Sequence, residues 1–453
     1  MNALRLAVIG GGISGLSAAY RLRALLGQTA VIDLYEATDR LGGTLKGVDL
    51  AGTQLDVGAE AFLVRRPEVP ALLTELGIAS RMVHPGTLGP RILARGALEP
   101  MARPTLMGIP ADPAVVAHLA EPADLALMTD EPRRPLEWIP GQDVSIGGLV
   151  AERFGRSVVD RSVDPMLSGV YSARADDLGL RAVLPALAAR LDVGSSSLTA
   201  AVADLIGAAS GDGPIFGAMA GGYQELVDTL VERSAATTHT GTIVTDIRRG
   251  DEGWLVDGTA YDGVVCALTA PAAARVLDSE PGVARPLSGV DISGSAVVAM
   301  AFGPDVVLPE LSGVLVASDE TVVRAKAFTF SSQKWPHLAG NGALVRASFG
   351  RFGAPVSDID DDQLIDWATS DLSTVIGIWG GRGGLTPVDA VVQRWPAGLP
   401  RYGTGHADLV AELDSGRPRG LALAGATYNG VGVPACVGRA ERAARQLVAD
   451  LTD

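Results

Sequence analysis

In the stretch VIGGGISGLSAAYRL, Gly10, Gly12 and Gly15 make a G-x-G-x-x-G pattern that follows a short apolar strand and opens a helix with apolar residues at helical spacing. Each glycine has its own task. Gly10 permits a tight turn, Gly12 lets the backbone approach a pyrophosphate, and Gly15 lets the helix lie close on the strand. Gly11, Ile13 and Ser14 complete a loop whose unpaired N–H groups and partial positive charge face the diphosphate. The second strand, AVIDLYEA, ends at Glu36, followed by Ala37, and Glu36 stands 21 residues after Gly15, close to the offset of a ribose-binding acid. A carboxylate there accepts both ribose hydroxyls and repels a 2′-phosphate, which disfavours NADP. The next segment, EATDRLGGTL, places Arg40, Gly42, Gly43 and Thr44 for a second close backbone approach to the pyrophosphate, with a guanidinium nearby.

The rest of the chain has to position that loop. Its 453 residues allow two or three domains, and 47% hydrophobic content is ample for large cores. With a net charge of −15, three lysines (Lys46, Lys326, Lys334) and no basic cluster, the chain is not built to bind nucleic acid. The sparse arginines are instead candidate anchors for an anionic ligand. Cys266 and Cys436 stand far apart, the five histidines are scattered, and no metal-ligand spacing occurs. The first strand follows Met1 almost at once, and no apolar run approaches the roughly 18 residues of a membrane span. A cytoplasmic protein with at most peripheral membrane contact is expected.

The dinucleotide loop followed by Arg40, Gly42 and Gly43 resembles the flavin-dependent amine oxidase and protoporphyrinogen oxidase superfamily, and the resemblance implies FAD. LDVGAEAF looks like the next flavin-contacting turn, bringing Gly58, Ala59, Glu60 and Ala61 to the ring system. AMAGGYQELVDTL resembles the superfamily's G-G-x-x-x-L helix opening, and TIVTDI reads as a strand that places the Val244 backbone on adenine. GLALAGATYNGVGVPACVGRAERAARQL supplies a strand ending in Gly425, a glycine turn with Val431, Gly432 and Val433 against the flavin, and a helix beginning near Ala435 to Val437. Trp395 matches a further cofactor-contacting position. No cysteine precedes LPRYG at a flavin-attaching position, so the resemblance implies non-covalent FAD. The implied fold is α/β, a Rossmann-type FAD-binding domain in three pieces (1–95, 202–290 and 395–453), with a helical insertion (96–201) and an α+β substrate domain (291–394).

Within the superfamily the intervening segments look like those of the porphyrinogen oxidases. The position of the amine oxidases' flavin-side lysine falls on Val298, and Tyr428 with Val431 stands where a pair of rings would cage an amine. GPRILARGALEPM resembles the segment that brings an arginine, here Arg91, to a substrate propionate. VVDRSVDPMLSGVYSARADDLGL resembles the helix and turn whose Gly169 backbone faces the tetrapyrrole, with Tyr171 and Arg174 following, and Arg346 is a further carboxylate candidate. The implied activity is FAD-dependent oxidation of coproporphyrinogen III, with O2 as acceptor and H2O2 as product, in heme biosynthesis. The implied partners are the porphyrinogen, O2 and, transiently, a ferrochelatase. No side chain is named as acid or base, because the pyrrole N–H protons leave to water. Protoporphyrinogen IX as substrate, a carotenoid desaturase and a non-catalytic flavin protein stay open.

Overall fold

The computed structural model describes residues 3–208 and 213–452. Five short strands make one parallel sheet in the order Thr237–His239, Val31–Tyr35, Arg5–Ile9, Gly263–Cys266, Leu421–Leu423. The inner strands Arg5–Ile9 and Gly263–Cys266 are almost wholly apolar because both faces are covered, whereas the edge strand Thr237–His239 is polar and largely exposed. On one face lie the opening helix Ile13–Leu26 and the C-terminal helix Val433–Thr452, packed through Leu16, Ala19, Leu22, Ala440, Ala444 and Leu447. The other face carries the three-stranded meander Ile247–Arg249, Trp254–Val256, Tyr261 and its neighbours, with the helices Ala270–Val276 and Pro281–Ser288. Three distant stretches of chain thus meet in one sheet.

A second sheet has seven strands in the order Asp389–Pro400, Ile292–Phe302, Ala343–Phe349, Ala327–Phe330, Gly313–Val316, Arg91–Ala94, Ala97–Pro100. Its pairs are antiparallel except Gly313–Val316 with Arg91–Ala94. The period-2 alternation sorts its residues onto two faces. Val298, Val314, Phe328 and Ala347 turn to the helix Asp361–Trp379, whereas Ala299, Ala301 and Leu344 turn to Leu55, Val57 and Trp335. A third core, of helices between Pro113 and Ala208, is built on Val150, Phe154, Leu167, Leu187 and Val202.

Some boundaries differ from those expected on sequence. Arg91–Ala94 and Trp395 belong to strands of the seven-stranded sheet, and the helix Leu198–Ala208 packs in the helical core. The TIVTDI segment pairs as a strand only over Ile247–Arg249. The C-terminal helix begins at Val433, before the expected Ala435.

Two glycines show how differently the fold uses this residue. A Cβ on Gly15 would sit 1.8 Å from the Gly10 carbonyl oxygen, whereas a Cβ on Gly377, inside the helix Asp361–Trp379, would meet nothing within 4 Å. Gly15→Ala should therefore cost about 3 kcal/mol of stability, or prevent folding, through backbone overlap. Gly377→Ala should stabilise by about 0.5–1 kcal/mol through helix propensity. Urea unfolding of the two variants checks both signs.

Candidate active site

The first strand ends at Ile9, and Gly10 turns the chain with φ +107, a conformation closed to other residues. A Cβ on Gly10 would lie 2.7 Å from the Ala267 carbonyl, so the turn also sits against the neighbouring strand end. Gly12, the N-cap of the opening helix, is different: the nearest atom to its added Cβ is Gly43 Cα at 3.8 Å, which leaves open space above its backbone. The Gly42–Gly43 turn lies alongside, with Gly42 N–H donating to the Gly11 carbonyl at 2.8 Å. Both glycines have positive φ, +108 and +58. Two glycine turns therefore stack edge to edge at a helix N-terminus.

Glu36 closes the loop from the side. Its Oε2 accepts the Gly11 N–H at 2.8 Å, and its Oε1 accepts the N–H and hydroxyl of Thr38 at 2.9 and 2.8 Å. A carboxylate has about four lone-pair positions, so capacity remains for a ligand hydroxyl. Ala37 and Thr44 are exposed on the same rim. Arg40 is turned inward: its guanidinium donates to the Leu41 and Leu45 carbonyls at 3.2 Å each, and to Gly43 O, and so shapes the Gly42–Gly43 turn. Next to Glu36, the extended segment carrying Val244 is tied down by Thr242 N–H on the Glu36 carbonyl at 2.9 Å. Val244 is 8% exposed, yet among the described residues neither its N–H nor its C=O has a hydrogen-bond partner. Buried backbone groups are seldom left so.

Gly58 marks the next close approach. Its added Cβ would stand 1.9 Å from the Thr44 carbonyl and 3.0 Å from the Trp395 ring, whose indole N–H donates to Val57 O at 3.1 Å. Ala59 and Ala61 are half-buried beside it. Glu60, expected on the ring system, instead sends its carboxylate into an ion cluster. Trp335 Nε1 donates to it at 2.6 Å, and Lys334 and Arg346 each approach to 3.1 Å. Burial would raise this carboxyl, but Lys334, Arg346 and the indole N–H hold it at about 2. Arg346 also donates to Gly58 O at 2.9 Å. The carboxylate that Arg346 binds is thus Glu60 of the same chain. Asp56, close by, has the opposite fate: burial pushes its carboxyl up to about 7 against the Tyr223 N–H and the Arg346 charge.

The C-terminal turn faces the same region. Gly425 has φ +131 at the end of its strand, and exposed Gly432 caps the C-terminal helix, whose first-turn N–H groups have no intrahelical partner. Ser14 of the opening helix meets the Cys436 thiol, so two helix N-termini converge. Gly430 N–H donates to the Tyr402 hydroxyl at 2.8 Å, and the Tyr402 ring lies 5.8 Å from Tyr171. Val431 packs with Tyr171 against the helical core. Tyr428 turns the other way, 4% exposed among the apolar side chains behind the first sheet, so it offers no ring to a ligand. Gly169 is exposed on the helix Asp164–Tyr171, and outside its own helix the described residue nearest its added Cβ is Leu315, at 3.8 Å.

Two expected positions lie on the wrong face of the seven-stranded sheet. Arg91 shares a row with Val314, facing the helix Asp361–Trp379, and its guanidinium sits 5.6 Å over Trp379 while donating to Leu98 O at 3.1 Å. The strand's period of two separates it from Leu315, Gly169 and Tyr171. Val298 likewise points to that helix; the strand neighbours on its other face are Val297 and Ala299, and Ile292–Phe302 has no lysine at all. Sequence reasoning missed Asp56, Lys334, Trp335 and Tyr402. Of these, only the rarity of lysine could have singled one out.

The model of the family described as flavin containing amine oxidoreductase matches residues 13–448. The chain belongs to the flavin containing amine oxidoreductases. Within this family it is 46% identical to the coproporphyrinogen III oxidase of Mycobacterium tuberculosis, over 97% of this chain and 96% of that one. It is 28% identical to the coproporphyrinogen III oxidase of Bacillus subtilis, over 96% of each. A crystal structure from Exiguobacterium, assigned as a protoporphyrinogen oxidase, superposes with a TM-score of 0.86 at 28% identity and full coverage of both chains. An engineered putrescine oxidase shares the fold, with a TM-score of 0.69 at 16% identity over 99% of each. FAD is the cofactor of this flavin-containing family. Among the described residues no helix is long and apolar enough to cross a membrane, and no His/Cys/Asp/Glu cluster could hold a metal.

The Asp56 carboxyl yields a pH test. Its folded-state value of about 7 lies above the usual 3.8, so its stabilising contribution is complete below about pH 4 and is lost as the pH rises through 7. Asp56→Asn keeps an oxygen for the Tyr223 N–H. It should match the parent in urea unfolding at pH 4 and exceed it by on the order of 2 kcal/mol at pH 8.

Proposed function

We propose that this protein oxidises coproporphyrinogen III to coproporphyrin III in heme biosynthesis, with non-covalent FAD, O2 as acceptor and H2O2 as product. The observation that carries this reading is the 46% identity to enzymes of that name, spread over 97% of the chain. The second reading, protoporphyrinogen IX as substrate, has the Exiguobacterium structure in its favour.

The residues present fit FAD. The pyrophosphate belongs over Gly10–Gly15 and Gly42–Gly43, where Gly12 leaves space and a helix N-terminus supplies N–H groups. Glu36 takes the ribose hydroxyls, and the unpaired N–H and C=O of Val244 suit an adenine edge. Gly58, Ala59, Trp395, Gly425 and the Val431–Val433 turn frame the ring system, with the dipole of the C-terminal helix at its pyrimidine side. Arg40 and Glu60 act from behind, by holding turns in shape.

Bound FAD supplies a two-electron oxidant, so a six-electron oxidation takes three rounds. The chain's part is placement. Exposed Gly169 lets a flat macrocycle approach the main chain, and Tyr171 and Val431 wall the space between the helical core and the C-terminal turn. No side chain is assigned as acid or base, and the aliphatic Val297 and Ala299 provide no substitute for an amine oxidase lysine. We infer a division into a three-piece FAD-binding domain, a helical domain and a substrate domain, a cytoplasmic location with at most peripheral membrane contact, and transient hand-over of product to a ferrochelatase.

Anaerobic mixing of the FAD-loaded protein with each porphyrinogen tests the reading. Faster flavin bleaching with coproporphyrinogen III, then coproporphyrin fluorescence when O2 is admitted, is expected; faster bleaching with protoporphyrinogen IX selects the second reading. Bleaching by neither refutes both. Glu36→Ala should weaken FAD about tenfold or more, read as FAD released on gel filtration.

A further inference from the structure

Most arginines around the helical core meet a carboxylate. Arg153 meets Glu131 at 2.8 Å, Arg156 meets Asp160 and Asp176 at 2.7 and 2.8 Å, and Arg161 meets Glu121 and Asp319 at 2.6 and 2.8 Å. Lys326, Arg351 and Arg174 depart from that rule. Lys326 is 8% exposed, and its ammonium donates to two neutral acceptors, Ser172 Oγ at 2.5 Å and Gly350 O at 2.8 Å. Gly350 precedes Arg351 in the chain, and Ser172 stands two residues before Arg174. Among the described residues neither guanidinium has a hydrogen bond or an ion pair.

The carboxylate that faces this group does not neutralise it. Asp164 is 1% exposed, burial pushes its carboxyl up, and it accepts the Ala175 N–H at 2.6 Å while its other oxygen has no partner. Burial and the Arg351 charge bring the Lys326 ammonium down to about 7, and burial with the Arg174 charge lowers Arg351. Crowding cations in a chain of net charge −15 is costly unless something else supplies negative charge. One ammonium N–H and two guanidinium forks remain available to do that binding.

Their place in the fold says what that anion is. Ser172 caps the helix Asp164–Tyr171 in the left-handed conformation, φ 49, so the ammonium is bonded to the turn that directly follows Gly169 and Tyr171. The same Ser172 carbonyl accepts Phe352 N–H at 2.7 Å, which ties the Arg351 loop to this turn. A tetrapyrrole lying on Gly169 projects its carboxylates beyond the ring edge, toward such a rim. We propose that Lys326, Arg351 and Arg174 form a carboxylate-binding site that takes the peripheral propionates of the substrate. The proposal rests on the porphyrinogen reading above and fills the role that Arg91, on the opposite face of the sheet, does not.

The test uses the FAD-loaded full chain and the variants Arg351→Gln, Arg174→Gln, their double, and Lys326→Met. Each is titrated with coproporphyrin III and with its tetramethyl ester, and its KM and kcat for coproporphyrinogen III are measured. The double variant should bind the free acid at least tenfold more weakly, bind the ester within twofold of the parent, and raise KM with kcat within threefold. If Lys326→Met does not fold, the two arginine variants carry the test. Equal loss for acid and ester, or no change in a double variant that keeps its FAD and melting temperature, overturns the proposal. Loss of inorganic phosphate binding with unchanged KM assigns the site to a free anion and overturns it as well. A parent that oxidises neither porphyrinogen defeats the functional reading, while the acid-against-ester titration still decides this one.

Discussion

The Glu60 carboxylate is the point on which the turn after Thr53–Asp56 is joined to the seven-stranded sheet. It leaves the turn that follows the dinucleotide half and meets Lys334, Trp335 and Arg346 of the other half, all within 3.1 Å. A buried charge without such partners would be strongly unfavourable; with three of them it is held ionised and oriented. Arg346 extends the link to the Gly58 carbonyl, and Trp395 covers the same turn from the neighbouring strand edge. The Val57–Glu60 turn is therefore set by contacts from the seven-stranded sheet.

Around that join, the dinucleotide half is assembled from sequence-distant pieces because its sheet needs them all. The strand Arg5–Ile9 has Val31–Tyr35 on one side and Gly263–Cys266 on the other, and Leu421–Leu423 completes the row. Opening and C-terminal helices lie side by side on one face, which brings two helix N-termini to one place. Dipoles and open N–H groups gathered in that way favour negative charge.

Charge is distributed with the same economy. Most arginines are consumed in ion pairs or, like Arg40, in carbonyls of their own turn. Those left over become informative, since a cation without a counter-charge in an acidic protein is held there by the fold rather than by its neighbours. Lys326 illustrates this: one of three lysines in the chain, buried, and bonded only to a hydroxyl and a carbonyl.

Sequence alone determined the parts of this protein that depend on local geometry. The spacing of Gly10, Gly12, Gly15 and Glu36 dictates a strand, a turn and a helix in register, because each step is a short-range steric or hydrogen-bonding requirement. The glycine turn before the C-terminal helix is legible for the same reason. Tertiary structure decided which way the remaining side chains point. Arg91 and Val298 both lie on strands, where a period of two means that one position changes the face, and only pairing with Val314 and Ala347 settles it. Glu60 and Arg346 were each legible as charged residues near a site, yet their partnership needs the turn after Thr53–Asp56 to pack on the strand Ala343–Phe349. Asp56 and Tyr402 carry no local signal and Lys334 only its rarity, since their roles come from burial and from neighbours outside their own elements. The cofactor loop is written in adjacent residues; the substrate's surroundings exist only once the chain has folded.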